Sequence, residues 1–438
     1  MIIHSVCRNK YAVSEVIGSV ILLFIAVLAF SVISHYILPL PDSSVDSNVD
    51  IQGSISGGFI ELFHVGGESV SEYKIYIDGE LSYEGNDWNM GNLYKINLSK
   101  IGNKNTEIMV VAATEDGGSE IVFEGEFLNP FINVKPVQGT PNIFSSLFSN
   151  TPEEDLICYR NGPTHDADGD KVTYIYTWYK EGVSFADLYL PCNTNTSTMA
   201  TDYTSPTNNA SIVNVTWTAD GMVGGAYEFT GNNERFHCTL SDLFTNIDET
   251  DFSITLWMKS NDISSDSHCL LEACNDSSNY VQIIQYDNRI QACIVVDGTK
   301  QVIQSDVLLS NVWYHLGLLW DSSLNDIRLI VNGVEYTSPG NPTVFSTSGE
   351  GNLSIGHQTD GSNGWNGTID EIYVYGSLVS EDQIYQEYLC TRIGSSDVSV
   401  IVSEETDFGQ TWDCVVIPND SIYDGDEYSV TIDLIESG

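Results

Sequence analysis

A long run without charged side chains constrains this chain more than any other feature of its sequence. Residues 16–41 contain no Asp, Glu, Lys or Arg. About 20 consecutive apolar residues are enough to span a bilayer as a helix. A secretory signal peptide would have a shorter apolar part and end in small residues, whereas this run ends in Tyr36-Ile37-Leu38-Pro39. The sequence therefore predicts one membrane-spanning helix near the N-terminus.

The charged residues on either side of the run predict its orientation. Arg8 and Lys10 precede it, whereas the region that follows it is acidic. Positively charged flanks of a membrane helix stay in the cytoplasm. We therefore expect a cell-membrane protein that crosses the bilayer once, with everything past about residue 42 outside the cell.

The charge balance excludes one large class of functions. The chain has 61 acidic and 16 basic residues, and its formal net charge is −45. Nucleic-acid binding needs clustered Lys and Arg, so no nucleic-acid partner is expected. The acidity fits a solvated surface in a medium whose salt screens the repulsion, and it also offers carboxylates that could bind cations.

The cysteines agree with an exterior location. Of the nine, only Cys7 precedes the apolar run, so an even set of eight lies outside. An even extracellular set favours disulfides, and the absence of a CxxC pair argues against a zinc ribbon. The proposed exterior also contains Asn-x-Ser/Thr sequons, which predict a glycosylated surface. They begin at Asn97, Asn195, Asn209, Asn214, Asn275, Asn352, Asn366 and Asn419.

Two segments near the N-terminus match the pattern of a known family. Residues 11–38 read YAVSEVIGSVILLFIAVLAFSVISHYIL, and residues 57–70 read GGFIELFHVGGESV. Both segments resemble archaeal type IV pilins. The resemblance implies a leader peptide at residues 1–12 that is cut between Ala12 and Val13, a pilin helix at residues 13–41 and a β domain at residues 42–130. It also implies other pilin-like subunits as partners, packed through the apolar helix.

Glu15 is the only charged residue near the start of this helix. In bacterial relatives an acidic residue near the mature N-terminus pairs with the amine of a neighbouring subunit. The resemblance therefore implies a filament contact for Glu15. The alternative is that Glu15 lies among the lipid headgroups without a specific role, because charges near helix ends reach the interface at little cost.

Four alternating segments beyond residue 130 predict the strands of a further sandwich. They read DLICYRN (155–161), VTYIYTWYK (172–180), TWDCVVIPN (411–419) and YSVTIDLI (428–435). Cys158, Trp178 and Cys414 resemble the Cys…Trp…Cys core of immunoglobulin-like domains. The resemblance implies one sandwich split into residues 131–195 and 395–438, with a Cys158–Cys414 disulfide. Free or otherwise paired cysteines are the alternative, because connectivity cannot be deduced from sequence. The positions of Cys192 and Cys390 suggest a second disulfide across the base of the insertion.

An acidic loop in the first half of this sandwich is a candidate metal site. Asp166, Asp168 and Asp170 alternate with small residues. Calcium needs several oxygen ligands at close range, and this spacing can supply them. The alternative is a polar turn between strands, which Asp and Gly favour without any ion.

Six segments of the inserted region, residues 196–394, follow one another in the order of a second family. They read GGAYEFTG (224–231), FSITLWMKS (252–260), VWYHLGLLWD (312–321), IRLIVNGVEY (327–336), LSIGHQTDG (353–361) and WNGTIDEIYVYGSLVSEDQIYQEY (365–388). These segments resemble LamG-like (concanavalin A-like) jelly-roll domains, which implies two packed sheets. Ser380 is expected to cap a short helix over residues 380–388.

This second resemblance implies a ligand site, because the family binds glycans or proteins, often with calcium at the rim. Trp365, Asn363 and Asp360 share one predicted loop, where the indole could stack on a sugar. Asp370 is interpreted either as a buried hydrogen-bond acceptor or as a calcium ligand. Adjacent carboxylates on a strand point to opposite faces, so Asp370 and Glu371 do not form the acid pair of a retaining glycosidase. No enzymatic activity is expected.

Together these features predict a mainly β protein. It would consist of an N-terminal transmembrane or pilin-type α-helix, a small pilin-like β domain, and an immunoglobulin-like β-sandwich split by an inserted LamG-like jelly roll. We expect a pilin-like adhesin that binds a glycan or protein ligand outside the cell. The alternatives are a non-filamentous, membrane-anchored glycan-binding or structural envelope protein, and a surface polysaccharide hydrolase. Calcium is the one cofactor that the sequence suggests.

Overall fold

The computed structural model of the chain describes residues 49–113, 118–130, 132–162, 164–205, 207–238, 250–262, 267–276, 278–336, 352–359 and 361–436. The predicted leader and helix, with Ala12, Val13 and Glu15, lie outside these residues, as does Asp360. No helix within the described ranges is long and apolar enough to cross a bilayer. The chain divides into two compact units, Met1–Ile132 and Asn133–Gly438.

The described part of the first unit consists of two antiparallel sheets. One sheet has the strand order β1-β2-β5 and the other has the order β4-β3-β6-β7. Buried and more exposed residues alternate along β6, as a strand with one face on a core requires. Ile60, Leu62, Ile75, Ile108 and Val110 are completely buried between the sheets. The strands are β1 (Val49–Ser56), β2 (Phe59–Gly67), β3 (Val70–Ile77), β4 (Glu80–Trp88), β5 (Leu93–Asn97), β6 (Asn105–Ala113) and β7 (Ser119–Leu128), with a short 3-10 helix at Leu98–Lys100.

The second unit contains all the remaining strands and the α-helix of the described residues. In chain order these elements are β8 (Asn142–Ser145), β9 (Leu156–Tyr159), β10 (Thr173–Lys180), β11 (Val183–Ser184), β12 (Leu188–Leu190), β13 (Met199–Ala200), β14 (Ala210–Val213), β15 (Thr216–Thr218), β16 (Ala226–Thr230), β17 (Arg235–Cys238), β18 (Phe252–Ser260), β19 (His268–Asp276), β20 (Asn279–Tyr286), β21 (Arg289–Val296), β22 (Thr299–Gln304), β23 (Trp313–Asp321), β24 (Asp326–Val331), β25 (Val334–Tyr336), β26 (Asn352–Ile355), β27 (Asn366–Tyr375), α1 (Glu381–Thr391), β28 (Val398–Ile401), β29 (Thr411–Asn419) and β30 (Tyr428–Asp433), with a 3-10 helix at Ser403–Glu405.

Strands from before and after the inserted region pair with each other. β10 pairs antiparallel with β29, and β9 pairs antiparallel with β28. The two resulting sheets have the orders β11-β10-β29-β30 and β28-β9-β8. Trp178 lies opposite Cys414 in the register, and both belong to one buried cluster with Cys158 and Trp412. We call this body the split sandwich.

The inserted region forms a larger sandwich of two eight-stranded sheets. The first contains the path β15-β16-β27-β18-β23-β24-β25, with β12 paired to β27, and the second has the order β13-β14-β17-β26-β19-β20-β21-β22. Side chains from both sheets meet in one extended core. The expectation of a mainly β, jelly-roll architecture is confirmed, because the six segments quoted from the sequence contribute β16, β18, β23 to β27 and helix α1.

Helix α1 begins where the sequence predicts it. The Ser380 hydroxyl accepts a hydrogen bond from the backbone N–H of Gln383, and Glu381 and Asp382 occupy the first turn. Both features stabilise a helix N-terminus, because they satisfy or neutralise its unpaired N–H groups. The helix continues to Thr391, three residues beyond the predicted end at residue 388.

Candidate functional site

The predicted ligand loop connects β26 to β27, and its residues differ in how deeply they are buried. Trp365 is fully buried in the core between the sheets, so its ring is not available to stack on a sugar. This corrects the prediction: Trp365 directly precedes β27, and its backbone N–H donates to the Gly356 carbonyl at 2.6 Å. Asn363 stays near the surface, with a left-handed backbone (φ 51°) that Asn tolerates well. Its Nδ2 donates to Oε1 of Gln358 at 2.6 Å.

The same loop joins a buried carboxylate on the neighbouring strand. Glu272 of β19 is fully buried, and its Oε1 accepts hydrogen bonds from the backbone N–H (2.9 Å) and the hydroxyl (2.6 Å) of Thr359. Its Oε2 accepts a hydrogen bond from Nε2 of Gln282, the residue opposite it on β20. The Ser362 hydroxyl donates to Gln358 at 2.5 Å. We call Glu272, Gln282, Gln358, Thr359, Ser362 and Asn363 the rim cluster.

Two polar atoms of the rim cluster lack a hydrogen-bond partner within the described residues. They are Oε1 of Gln282, which is completely buried, and Nε2 of Gln358, which is 2% exposed. Buried polar groups almost always find a partner, so the unpaired acceptor and donor beside the carboxylate mark a place that a buried water molecule can fill. Sequence reasoning missed Glu272 and Gln282. Their signal was a polar residue within the apolar central part of each of two neighbouring strands.

The acidic loop of the split sandwich brings its three carboxylates together. One ligand oxygen from each of Asp166, Asp168 and Asp170 lies within 4.8 Å of the others. Asp166 Oδ1 accepts the backbone N–H groups of Asp168 (2.8 Å) and Asp170 (3.1 Å), as in a polar turn. Its Oδ2 is buried without a hydrogen-bond partner in the described chain. Three carboxylates with an unpaired oxygen fit a calcium ion, and the hydrogen bonds also fit the turn, so both interpretations stand.

Asp370 lies inside the protein on the outer face of the first large sheet. It is completely buried and accepts backbone N–H groups from Val223 and Glu371, each at 2.9 Å. These bonds agree with the interpretation of Asp370 as a buried acceptor, and it is not a member of the carboxylate triad. Burial raises the pKa of Asp370 well above its usual range, because it disfavours the charged form.

The expectation that Asp370 and Glu371 point to opposite faces is wrong. Strand β27 contains a bulge here: Trp257 of β18 pairs with Asp370, and Thr255, two residues earlier, pairs with Tyr373. Glu371 adopts a left-handed conformation (φ 50°) at the bulge. An extra residue shifts the alternation of a strand, so both carboxyl groups come to the same side. Burial, and then repulsion from Asp370, raises the pKa of Glu371 well above its usual range.

The four cysteines predicted to form disulfides are all free thiols in the structure. Cys158 and Cys414 are adjacent in the core of the split sandwich, and their pairing stays a prediction. Cys192 is buried in the large sandwich, where it interacts electrostatically with Cys238. Cys390 lies on helix α1 beside Glu387. The predicted Cys192–Cys390 pairing likewise stays a prediction.

The family comparison agrees with this architecture. Residues 232–385 match the family described as the concanavalin A-like lectin/glucanases superfamily. This part of the chain is a LamG-like jelly-roll domain. The match includes β19, β20, β26 and the loop that follows β26, and thus the whole rim cluster.

The solved structures to which the chain is similar are distant in sequence. One of them is domain 4 of an extracellular GH43 arabinanase from Geobacillus stearothermophilus, in complex with arabinotriose. The two sequences are 17% identical, the match covers 46% of this chain and 96% of the arabinanase domain, and the TM-score is 0.35. The receptor-binding domain of botulinum neurotoxin D is 14% identical over 47% of this chain and 52% of that chain, with a TM-score of 0.37. The receptor-binding domain of the botulinum neurotoxin C/D mosaic serotype is 11% identical over 47% of this chain and 51% of that chain, also with a TM-score of 0.37. The chain spans about half the length of these toxin domains.

Proposed function

We propose that this protein is a cell-surface adhesin whose LamG-like domain binds a glycan through the rim cluster. The observation that carries the proposal is a pair of polar side chains near the surface of a domain with a lectin-like fold, Ser362 and Asn363, which both donate hydrogen bonds to the buried Gln358 side chain. A sugar hydroxyl both donates and accepts hydrogen bonds, so it complements such a mixed set. Ser362 and Asn363 are the more exposed members and would make the first contacts.

Binding without catalysis is the simpler function for this site. A retaining glycosidase needs two carboxyl groups flanking the scissile bond. Glu272 is the only carboxylate of the rim cluster, and its oxygens accept hydrogen bonds from Thr359 and Gln282. Asp370 and Glu371 are buried on the outer face of the other sheet. These arrangements support a receptor rather than a hydrolase.

The proposal is tested by measuring the affinity of the full chain for immobilised polysaccharides of different composition. Replacing Ser362 and Asn363 together by Ala removes two surface hydrogen-bonding groups, and about tenfold weaker binding is expected. Glu335→Ala changes an exposed residue of β25 in the other sheet and serves as the control. Equal binding by the double variant and the control would place the ligand elsewhere. Release of reducing sugars by the wild-type chain would support the hydrolase instead.

The membrane attachment in this proposal rests on the sequence of residues 11–41. An apolar helix of that length would hold the protein in the bilayer or, after removal of the leader, in a filament with other pilin-like subunits. The alternative is an envelope protein that stays in the membrane and never enters a filament. We also propose that calcium occupies the loop of Asp166, Asp168 and Asp170, where it would hold that loop in place rather than contact the glycan.

A further inference from the structure

Helix α1 joins the LamG-like domain to the split sandwich. The Gln383 side chain donates through Nε2 to the Val400 carbonyl (3.1 Å) and accepts at Oε1 from the Val402 N–H (3.0 Å), much as a strand would. On the LamG-like side, Ile384 packs over Gly317 of β23, where an added Cβ would lie 2.7 Å from Ile384 Cγ2. The helix therefore contacts both bodies closely. We call the region between helix α1, strands β18, β23 and β27, and strand β28 the junction.

Glu387 is the central acidic side chain of the junction. It is 13% exposed and accepts hydrogen bonds from the Thr255 hydroxyl (2.8 Å) and the Tyr375 hydroxyl (2.7 Å), which belong to β18 and β27. The nearest basic group is His315, with Nε2 3.9 Å from Glu387 Oε2, which is too long for a hydrogen bond. His315 is 3% exposed, and burial lowers its pKa to about 3, so the ring is neutral at ordinary pH.

A second carboxyl group faces the same space. Glu371 is 5% exposed, and its Oε2 accepts a hydrogen bond from the Tyr189 hydroxyl at 2.8 Å. Glu371 and Glu387 both line a cavity of about 50 Å³, whose opposite wall includes Tyr176 and Ser399 of the split sandwich. Two carboxyl groups therefore lie where the two bodies meet, and no charged basic group of the described residues is in contact with them.

Among the described residues, no Lys or Arg lines the cavity. The basic groups nearby contact other side chains: the Arg392 guanidinium lies 5.8 Å from the centre of the Tyr388 ring, and Lys259 lies over the Trp313 ring and interacts with Asp370. The groups that face Glu387 and Glu371 from the surrounding elements are His315, Tyr176, Tyr189, Tyr373, Tyr375, Tyr388, Cys390, Asp370 and Glu405. Ionised carboxylates here would be desolvated and would repel one another.

We propose that protonation of Glu387 and Glu371 holds the LamG-like domain on the split sandwich, and that their ionisation loosens the junction. Burial raises the pKa of Glu387 from 4.5 to about 7. Protonation therefore stabilises the closed junction fully below pH 4.5, the ordinary pKa of a glutamate, and this stabilisation is lost as the pH rises through about 7. The proposal concerns how firmly the domain is held, so it does not depend on the identity of the ligand.

Hydrogen exchange of the full chain at about pH 5.5 and about pH 8.5 tests this proposal, with labelling times scaled to the intrinsic exchange rate. Between about pH 5.5 and pH 7 the closed junction holds about one extra proton, so opening becomes about thirtyfold more frequent. This increase is expected in peptides from α1 and β28, and not in β24 of the same domain. Glu387→Gln keeps the side-chain shape but cannot ionise, and should lose most of the increase. Asp382→Asn, an exposed acid on the same helix, should keep it.

Two results would overturn the proposal. One is equal exchange of α1 and β28 in the wild-type chain at both pH values, and the other is an undiminished increase in Glu387→Gln. If this variant does not fold, exchange of the wild-type chain at further pH values between these two gives a profile that decides alone. An increase centred between about pH 6 and about pH 8 supports the proposal, and one centred elsewhere overturns it.

Discussion

The thiols of Cys158 and Cys414 face each other in the core of the split sandwich, although the whole LamG-like domain separates them in the chain. Both side chains are completely buried. Burial, and then the hydrogen bond and close approach of Cys158, raise the pKa of the Cys414 thiol well above its usual value. Trp178 lies opposite Cys414 in the register. The sequence resemblance that suggested this pair thus corresponds to an actual juxtaposition in the fold.

We predict that this pair is oxidised in the protein isolated from cells. Peptide mapping without reductant should yield the two cysteines as one cross-linked peptide pair. Changing both to Ser should lower the free energy of unfolding by about 2–5 kcal/mol, because the link closes a long loop in the unfolded chain. Cys390→Ser, at a partly exposed position on α1, is the control and should change stability little. Recovery of Cys158 and Cys414 as separately alkylated thiols would refute the prediction.

The strands were predictable because local sequence and tertiary packing agree in them. FSITLWMKS and TWDCVVIPN were read as strands and form β18 and β29 with the same boundaries. Helix α1 was predictable for the same reason, since Ser380 caps it in the expected way. In these elements the apolar pattern, the β-branched content and the cap all favour one structure.

The site was less predictable because its geometry depends on single-residue irregularities and on pairing across strands. A bulge at Glu371 reverses the side-chain alternation that placed it opposite Asp370, and nothing in Ile-Asp-Glu-Ile marks that bulge. Trp365 lies in a polar stretch of sequence, yet the core between the sheets has room for it. Glu272 and Gln282 become neighbours only through the register of β19 and β20.

Calcium should stabilise the fold through the acidic loop. A calcium concentration several times the dissociation constant of the site stabilises the fold by about 1 kcal/mol, which corresponds to about 1–2 °C in the unfolding midpoint of a unit of this size. Differential scanning calorimetry with calcium or with a chelator measures this shift. The double variant Asp166→Asn, Asp168→Asn should lose it, and the variant Asp382→Asn, Asp407→Asn, changed at two exposed acids, should retain it. An equal shift in both double variants would indicate non-specific binding to the acidic surface.

Acid should destabilise the second unit through His315. Its imidazole is buried and neutral in the folded protein, with a pKa of about 3, whereas the unfolded ring takes up a proton near 6.5. The stabilisation that comes from the neutral His315 ring is therefore complete above about pH 6.5. It is lost as the pH falls towards about 3, by at most about 1.4 kcal/mol for each pH unit. Denaturant unfolding at a series of pH values below about 4.5 measures the slope, because Glu387 is then protonated in both the folded and the unfolded chain and does not contribute. His315→Phe should flatten it, and an unchanged slope would assign the acid sensitivity to other groups.

The N-terminal mass of the protein from its native membrane or filament fraction tests the anchoring proposal. A type IV pilin-like protein would be cut between Ala12 and Val13, because the peptidase removes the charged leader and frees the apolar helix for assembly. The mature chain should then begin at Val13, with Glu15 close to the new amine, where the two can pair with a neighbouring subunit. Glu15→Gln should leave cleavage intact and reduce the share of protein in the filament fraction. A chain that keeps residues 1–12 in that fraction would exclude the filament mechanism and favour a permanently anchored surface receptor.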